Sequence, residues 1–182
     1  AFAYEVASIV QAGIERMYGD NGQDPDVFYY LTLYNENYPM PAMPAGLDPA
    51  HIVRGLYRWA DVADGTEQKA TVLFSGSAHG AARAAAAELA DRYGIHVDLW
   101  SATSYKVLRE DALAAERWNR LHPSQPAQVP LVTQLLGEGR GPVVAVSDFM
   151  KLVPEQVARF VPRPFVPLGT DGMGRSDTRE AL

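Results

Sequence analysis

Apolar runs of strand length alternate with stretches of helical spacing along most of this chain, which restricts it to layered α/β architectures. The runs are VFYYLTLY (27–34), GLYRWADV (55–62), ATVLFSG (70–76), IHVDLWSAT (95–103), PVVAVSD (142–148) and FVPLGT (165–170). VFYYLTLY and ATVLFSG are continuous in aromatic, aliphatic and β-branched residues, as expected of strands buried on both faces of a parallel sheet. GLYRWADV alternates apolar and polar residues at period two, the pattern of a half-buried strand.

Between the runs the spacing changes to that of helices. Val6, Ile9, Val10, Gly13, Ile14 and Met17 form one apolar stripe on a helix of about four turns, with Gly19 in the position that follows a helix end. Asp20 to Pro25 reads as a polar loop. In the alanine-rich segment Ala82, Ala85, Ala86, Leu89 and Tyr93 share a face, and Gly94 closes it. A longer helix is expected from about Lys106 to Leu121, a short one at PLVTQLL, and another at PEQVARFV with Pro154 in its first turn.

Composition narrows the function classes. The 182 residues are 47% hydrophobic and 21% charged, enough apolar material for a core. A net charge of −6, with Lys and Arg scattered singly, gives no footprint for nucleic acid. The absence of cysteine excludes disulfides, thiolate chemistry and Cys-built zinc sites. No apolar run approaches the ~18 residues of a membrane span. AFAYEVASIV opens without Met and reads as a helix already under way, so the chain is expected to be a fragment.

Pro39, Pro41, Pro44 and Gly46 mark a break between two layered regions. Residues 1–38 supply one helix and one strand, too little to bury a sheet, and are expected to belong to a domain whose remainder lies upstream. Residues 51–182 supply five strands and several helices, a nearly complete second domain.

The candidate site lies at that break, in YNENYPMPAMP (34–44). Ligands of open α/β sheets bind beyond the carboxyl ends of the strands, and Tyr34 ends an expected strand. Glu36 on that rim, beside apolar walls, would have a raised pKa suited to proton transfer. The same residues also make an ordinary polar turn, because Asn tolerates left-handed backbone and caps chains locally. Residue chemistry alone leaves both readings open.

FYYLTLYNENYPMPAMP, AYEVASIVQAGIERMYG, WSATSYKVLREDALAAERWNRLHP, SDFMKLVPEQVARFVP and LGTDGMGRSDTREAL resemble, in order and along the whole chain, the homodimeric E1 component of the bacterial pyruvate dehydrogenase complex. Transketolase proper shares a looser outline. The resemblance implies that residues 1–45 end a thiamine-pyrimidine-binding α/β domain. Residues 46–182 would form a transketolase-type C-terminal domain, a layered sheet with helices on both faces, incomplete at its C-terminus. The family's diphosphate-binding domain would lie outside this chain.

What the resemblance implies chemically is pyruvate decarboxylation on thiamine diphosphate with Mg²⁺, and transfer of the acetyl unit to lipoyl groups of the E2 acetyltransferase. The cofactor carries the electron-accepting chemistry. A second E1 subunit and E2 would be partners, without nucleic acid or membrane, in the bacterial cytoplasm. The metal ligands and the Glu that protonates the cofactor would lie upstream, which leaves no cofactor or metal ligand in these residues. Within the chain the resemblance makes Glu36 an acid/base or hydrogen-bonding group and Tyr38 a wall or donor. Some family members carry His after this Tyr; Pro39 stands here, so that His role does not transfer.

TDGMG (170–174) imitates a metal motif but follows the last strand with eight residues remaining, and is rejected as a metal site. The loop it opens, with Asp171, Arg175 and Asp177 able to pair, resembles one used for domain and subunit packing. His79 opens a helix after a strand, where anions can bind, although local packing is the simpler role. His51, His96 and His122 read as structural or solvated, and Trp59, Trp100 and Trp118 as core or interface aromatics. Two classes therefore stand: a piece of the E1 enzyme, or a structural and dimerisation module inactive by itself. Transketolase or another 2-oxo acid dehydrogenase E1 is the enzymatic alternative.

Overall fold

In the computed structural model, residues 2–19, 26–33, 37, 39–63 and 66–171 are described. Helix α1 spans Ala3–Tyr18, α2 Pro49–Val53, α3 His79–Tyr93, α4 Tyr105–Leu121, α5 Leu131–Gly137 and α6 Leu152–Glu155. The strands are β1 Leu56–Ala60, β2 Gln68–Phe74, β3 His96–Ala102, β4 Val143–Met150 and β5 Phe165–Thr170.

These five strands make one sheet in the order β1-β3-β2-β4-β5. The β2, β3, β4 and β5 ladders are parallel, while β1 joins β3 antiparallel with Leu56 opposite Ala102. Alternation along β2 sends side chains to both faces. Leu73 enters a core with Leu108 and Ala112 of α4, Val132 and Leu136 of α5, and Val157. Val72 and Phe74 enter a second core with Ala82 of α3, Val97, Leu99 and Phe2. Helices thus cover both faces, and the expected α/β class is what the chain adopts.

Local chemistry accounts for the ends of several elements. Asp48 caps α2 by accepting from the Ala50 N–H at 2.9 Å, and Ser104 Oγ accepts from Val107 N–H at the start of α4. Gly94 takes φ 60° after α3, the left-handed end that glycine permits. Gly55 has φ 99°, and a Cβ there would stand 2.7 Å from the Ser104 carbonyl oxygen. Its carbonyl receives the Thr103 and Ser104 N–H groups, binding the entry to β1 to the exit from β3.

Four expectations need correction. Residues 27–33 form no strand: Phe28 and Tyr30 are 87% and 85% exposed, and no described strand pairs with the segment. A β-rich run becomes a strand only where a neighbour offers a ladder, and the sheet here begins at β1 and ends at β5. Gly19 ends α1 at φ −68°, ordinary extended backbone, with its N–H on Glu15 O at 2.9 Å. The expected face of α3 narrows to Ala82, Ala86 and Leu89, with Ala85 and Tyr93 turned to solvent. PEQVARFV breaks into α6 and a 3₁₀ turn at Ala158–Phe160.

The stripe on α1 is only partly covered. Val10 and Ile14 are exposed, and the helix is buried through Phe2, Glu5 and Gly13 instead. Tyr29 closes over Gly13, where a Cβ would meet the ring at 3.2 Å.

Candidate functional site

Strand order decides where a site can form. From β2 the chain moves to β3 on one side, then returns to β4 on the other. Such a reversal opens a crevice at the carboxyl ends of the strands. A cleft of about 540 Å³ lies there, bordered by Ser75 and Gly76 after β2, Ser101 and Ala102 of β3 with Thr103 after it, and Ser147 to Phe149 of β4. The N-terminal turns of α1 and residues 30–33 form its outer wall.

Two carboxylates face this region, and both are satisfied from within. Glu5 is 2% exposed. Its Oε2 accepts from Phe2 N–H at 2.6 Å, and its Oε1 from Tyr57 O–H at 2.7 Å and Ser101 Oγ–H at 2.6 Å. Because Tyr57 gives its proton to Glu5, Tyr4 is the donor in the 2.6 Å contact between the two hydroxyls. Burial, and then the Glu5 charge, push the Tyr57 phenol well above its ordinary range, so it stays protonated. The Tyr4 phenol is raised mainly by burial, against the opposing effect of its bond to Tyr57.

Asp148 is the second carboxylate. It accepts from Ser77 N–H at 2.9 Å and Ser77 Oγ–H at 2.8 Å. It therefore occupies the place an anion would take at the short 3₁₀ turn Gly76–Ala78 that leads into α3. Tyr105 borders the same cleft from α4. Its hydroxyl is buried with no hydrogen-bond partner, and burial pushes its pKa up.

Glu36 and Tyr38, the expected acid/base residues, lie outside the described residues, as do Tyr34 and Asn35. Asn37 is exposed. His79 is buried against the Phe2 ring at 5.1 Å, and burial together with Arg83 holds its pKa down, in accord with local packing. His51 is exposed on α2 and His96 opens β3 half-buried. His122 stacks on Trp118 at 3.7 Å, with Nδ1 3.0 Å from that residue's carbonyl.

Trp59 packs between Phe2 and Phe74, and Trp100 sends its N–H to Asp98 within the core. In the TDGMG segment Asp171 pairs with Lys151 at 2.9 Å; Arg175 and Asp177 lie outside the described residues. Among the described residues no group of three or more His, Asp or Glu is placed to hold a metal ion.

Glu5 carries little signal of this role in the sequence. An acidic residue in a first turn is ordinarily a surface group complementing the helix dipole. Its one sequence signal is its place beside Val6 and Ile9 on a face that must be covered.

The family model described as Transketolase-like TK C-terminal domain matches residues 55–182. That described as Pyruvate dehydrogenase E1 component middle domain matches residues 1–41. Over 181 residues the chain is 46% identical to the pyruvate dehydrogenase E1 component of Mycobacterium tuberculosis strain H37Rv, covering 100% of this chain and 19% of that protein. The protein of the same name in Escherichia coli K12 is 45% identical over 183 residues, covering 100% and 20%. For that of Corynebacterium glutamicum the figures are 42% over 181 residues, 100% and 19%. The chain spans about one fifth of the length of the curated relatives it matches.

Proposed function

Because this chain belongs to the transketolase-like TK C-terminal domain family, we propose that it is part of a pyruvate dehydrogenase E1 component. That enzyme decarboxylates pyruvate and reductively acetylates the lipoyl group of an E2 acetyltransferase. The observation that carries this reading is the ordered match of an E1 middle-domain segment, then the C-terminal domain, within relatives that share one name.

On this reading residues 1–45 close a pyrimidine-binding domain and residues 46–182 form the C-terminal domain. Glu36 supplies an acid/base or hydrogen-bonding group and Tyr38 a wall or donor on the substrate side. The full-length protein uses thiamine diphosphate with Mg²⁺, pairs with a second subunit, and works in the bacterial cytoplasm. Among the described residues no helix is long and apolar enough to cross a membrane.

The described residues do not fit the metal–diphosphate group. No ligand cluster is present among them, and Glu5 and Asp148 are already bound by Tyr57, Ser101 and Ser77. On this reading the metal ligands and the Glu that protonates the cofactor lie outside this chain, and the 182-residue chain by itself serves structure and subunit association without decarboxylase activity of its own. Calorimetry with thiamine diphosphate and Mg²⁺ tests this. The chain should bind no tighter than about millimolar, whereas the full-length protein binds and releases CO₂ from pyruvate in preference to ketose phosphates. Micromolar binding by the 182-residue chain, or turnover of ketose phosphates in place of pyruvate, contradicts the reading.

A further inference from the structure

The two oxygens of Glu5 have different tasks. Oε2 receives Phe2 N–H and so closes the first turn of α1, while Oε1 receives Tyr57 of β1 and Ser101 of β3. One buried side chain thus caps the helix that matches the E1 middle domain and fixes it to two strands of the C-terminal domain. Further along the same helix, Tyr29 sits against Gly13. Residues 30–33, which form the cleft wall and run toward Asn35 to Tyr38, follow directly from that contact.

We infer that Glu5 is a positioning residue, whose carboxylate locks α1 onto β1 and β3 and thereby sets where residues 27–33 stand at the mouth of the cleft. The catalytic half of this inference rests on the proposed role of Glu36 and Tyr38. The geometry requires both carboxylate oxygens as acceptors, Oε1 for two hydroxyl donors and Oε2 for one N–H. Glutamine retains one oxygen, and its amide nitrogen faces either Phe2 N–H or the two hydroxyl donors, so one side of the lock opens. Phe2 remains seated among Trp59, Phe74 and His79, which keeps the end of the helix anchored while its angle is released.

The test is fluorine NMR of the 182-residue chain labelled with 3-fluorotyrosine, for wild type, Glu5→Gln, Glu5→Asp and Tyr57→Phe. Glu5→Gln should move the Tyr4 and Tyr29 signals and leave that of Tyr93, which ends α3 on the surface and does not line the cleft. Glu5→Asp, which keeps the charge, should restore part of the shift. In the full-length protein Glu5→Gln should lower kcat about tenfold with KM for pyruvate within about twofold, since positioning is lost and binding is not. An unmoved Tyr29, or all tyrosines moving together, overturns the lock. A shifted Tyr29 with unchanged kcat overturns its part in the reaction. A wild-type full-length protein inert toward pyruvate overturns the functional reading, and Tyr29 then decides the lock alone.

Discussion

The Tyr57 hydroxyl donates to Glu5 Oε1 across 2.7 Å, joining residues 52 positions apart and two segments that match different families. Removing either partner leaves the other buried with a bond unmade. Glu5→Ala strands both Tyr57 and Ser101 and should cost the chain about 3 kcal/mol; Tyr57→Phe leaves Glu5 with two donors and should cost about 1 to 2 kcal/mol. Urea unfolding measures both. Costs within about 0.3 kcal/mol of zero would mean that water satisfies the carboxylate.

Tyr105 should respond in the opposite way. The residue is buried like Tyr57, but its hydroxyl has no hydrogen-bond partner. Tyr105→Phe removes an unsatisfied polar atom and retains the ring, so stability should stay level or rise by up to about 1 kcal/mol. A loss of about 2 kcal/mol in the same urea titration would reveal a partner for this hydroxyl.

His79 makes the fold sensitive to acid. Burial and the Arg83 charge hold its imidazole below the ordinary value, so the unfolded chain takes up this proton more readily. Its contribution is complete above about pH 6.5 and is lost as pH falls through the folded-state value. Melting temperatures from pH 7.5 downward should therefore fall more steeply for the wild type than for His79→Phe, which keeps an aromatic ring beside Phe2 and cannot titrate. Parallel curves would remove His79 from the account.

These contrasts show what the sequence makes legible. The five strands, α4 and α5 follow from local pattern, since period-two and 3.6-residue spacing survive wherever a core lies against them. VFYYLTLY was not legible in the same way, because a strand is a property of two partners and its own pattern describes only one. The Ala82, Ala86 and Leu89 face came out narrower than its spacing implied, as one packed neighbour covers only part of a helix. Glu5 was legible as an acidic first-turn residue and illegible as a lock, because Tyr57 and Ser101 lie 52 and 96 positions away. Asp148 was hidden for the same reason: its partner Ser77 lies 71 positions earlier, across a crossover.

Turnover of the full-length protein with pyruvate and a lipoyl-domain acceptor, for wild type and Glu36→Gln, tests the central claim most directly. The account predicts pyruvate-dependent reductive acetylation by the wild type. It also predicts a loss of about 10²-fold or more in the variant, with folding nearly unchanged, because an acid/base group is removed while the core is untouched. A wild type inert toward pyruvate, or a variant that turns over at the wild-type rate, would contradict it.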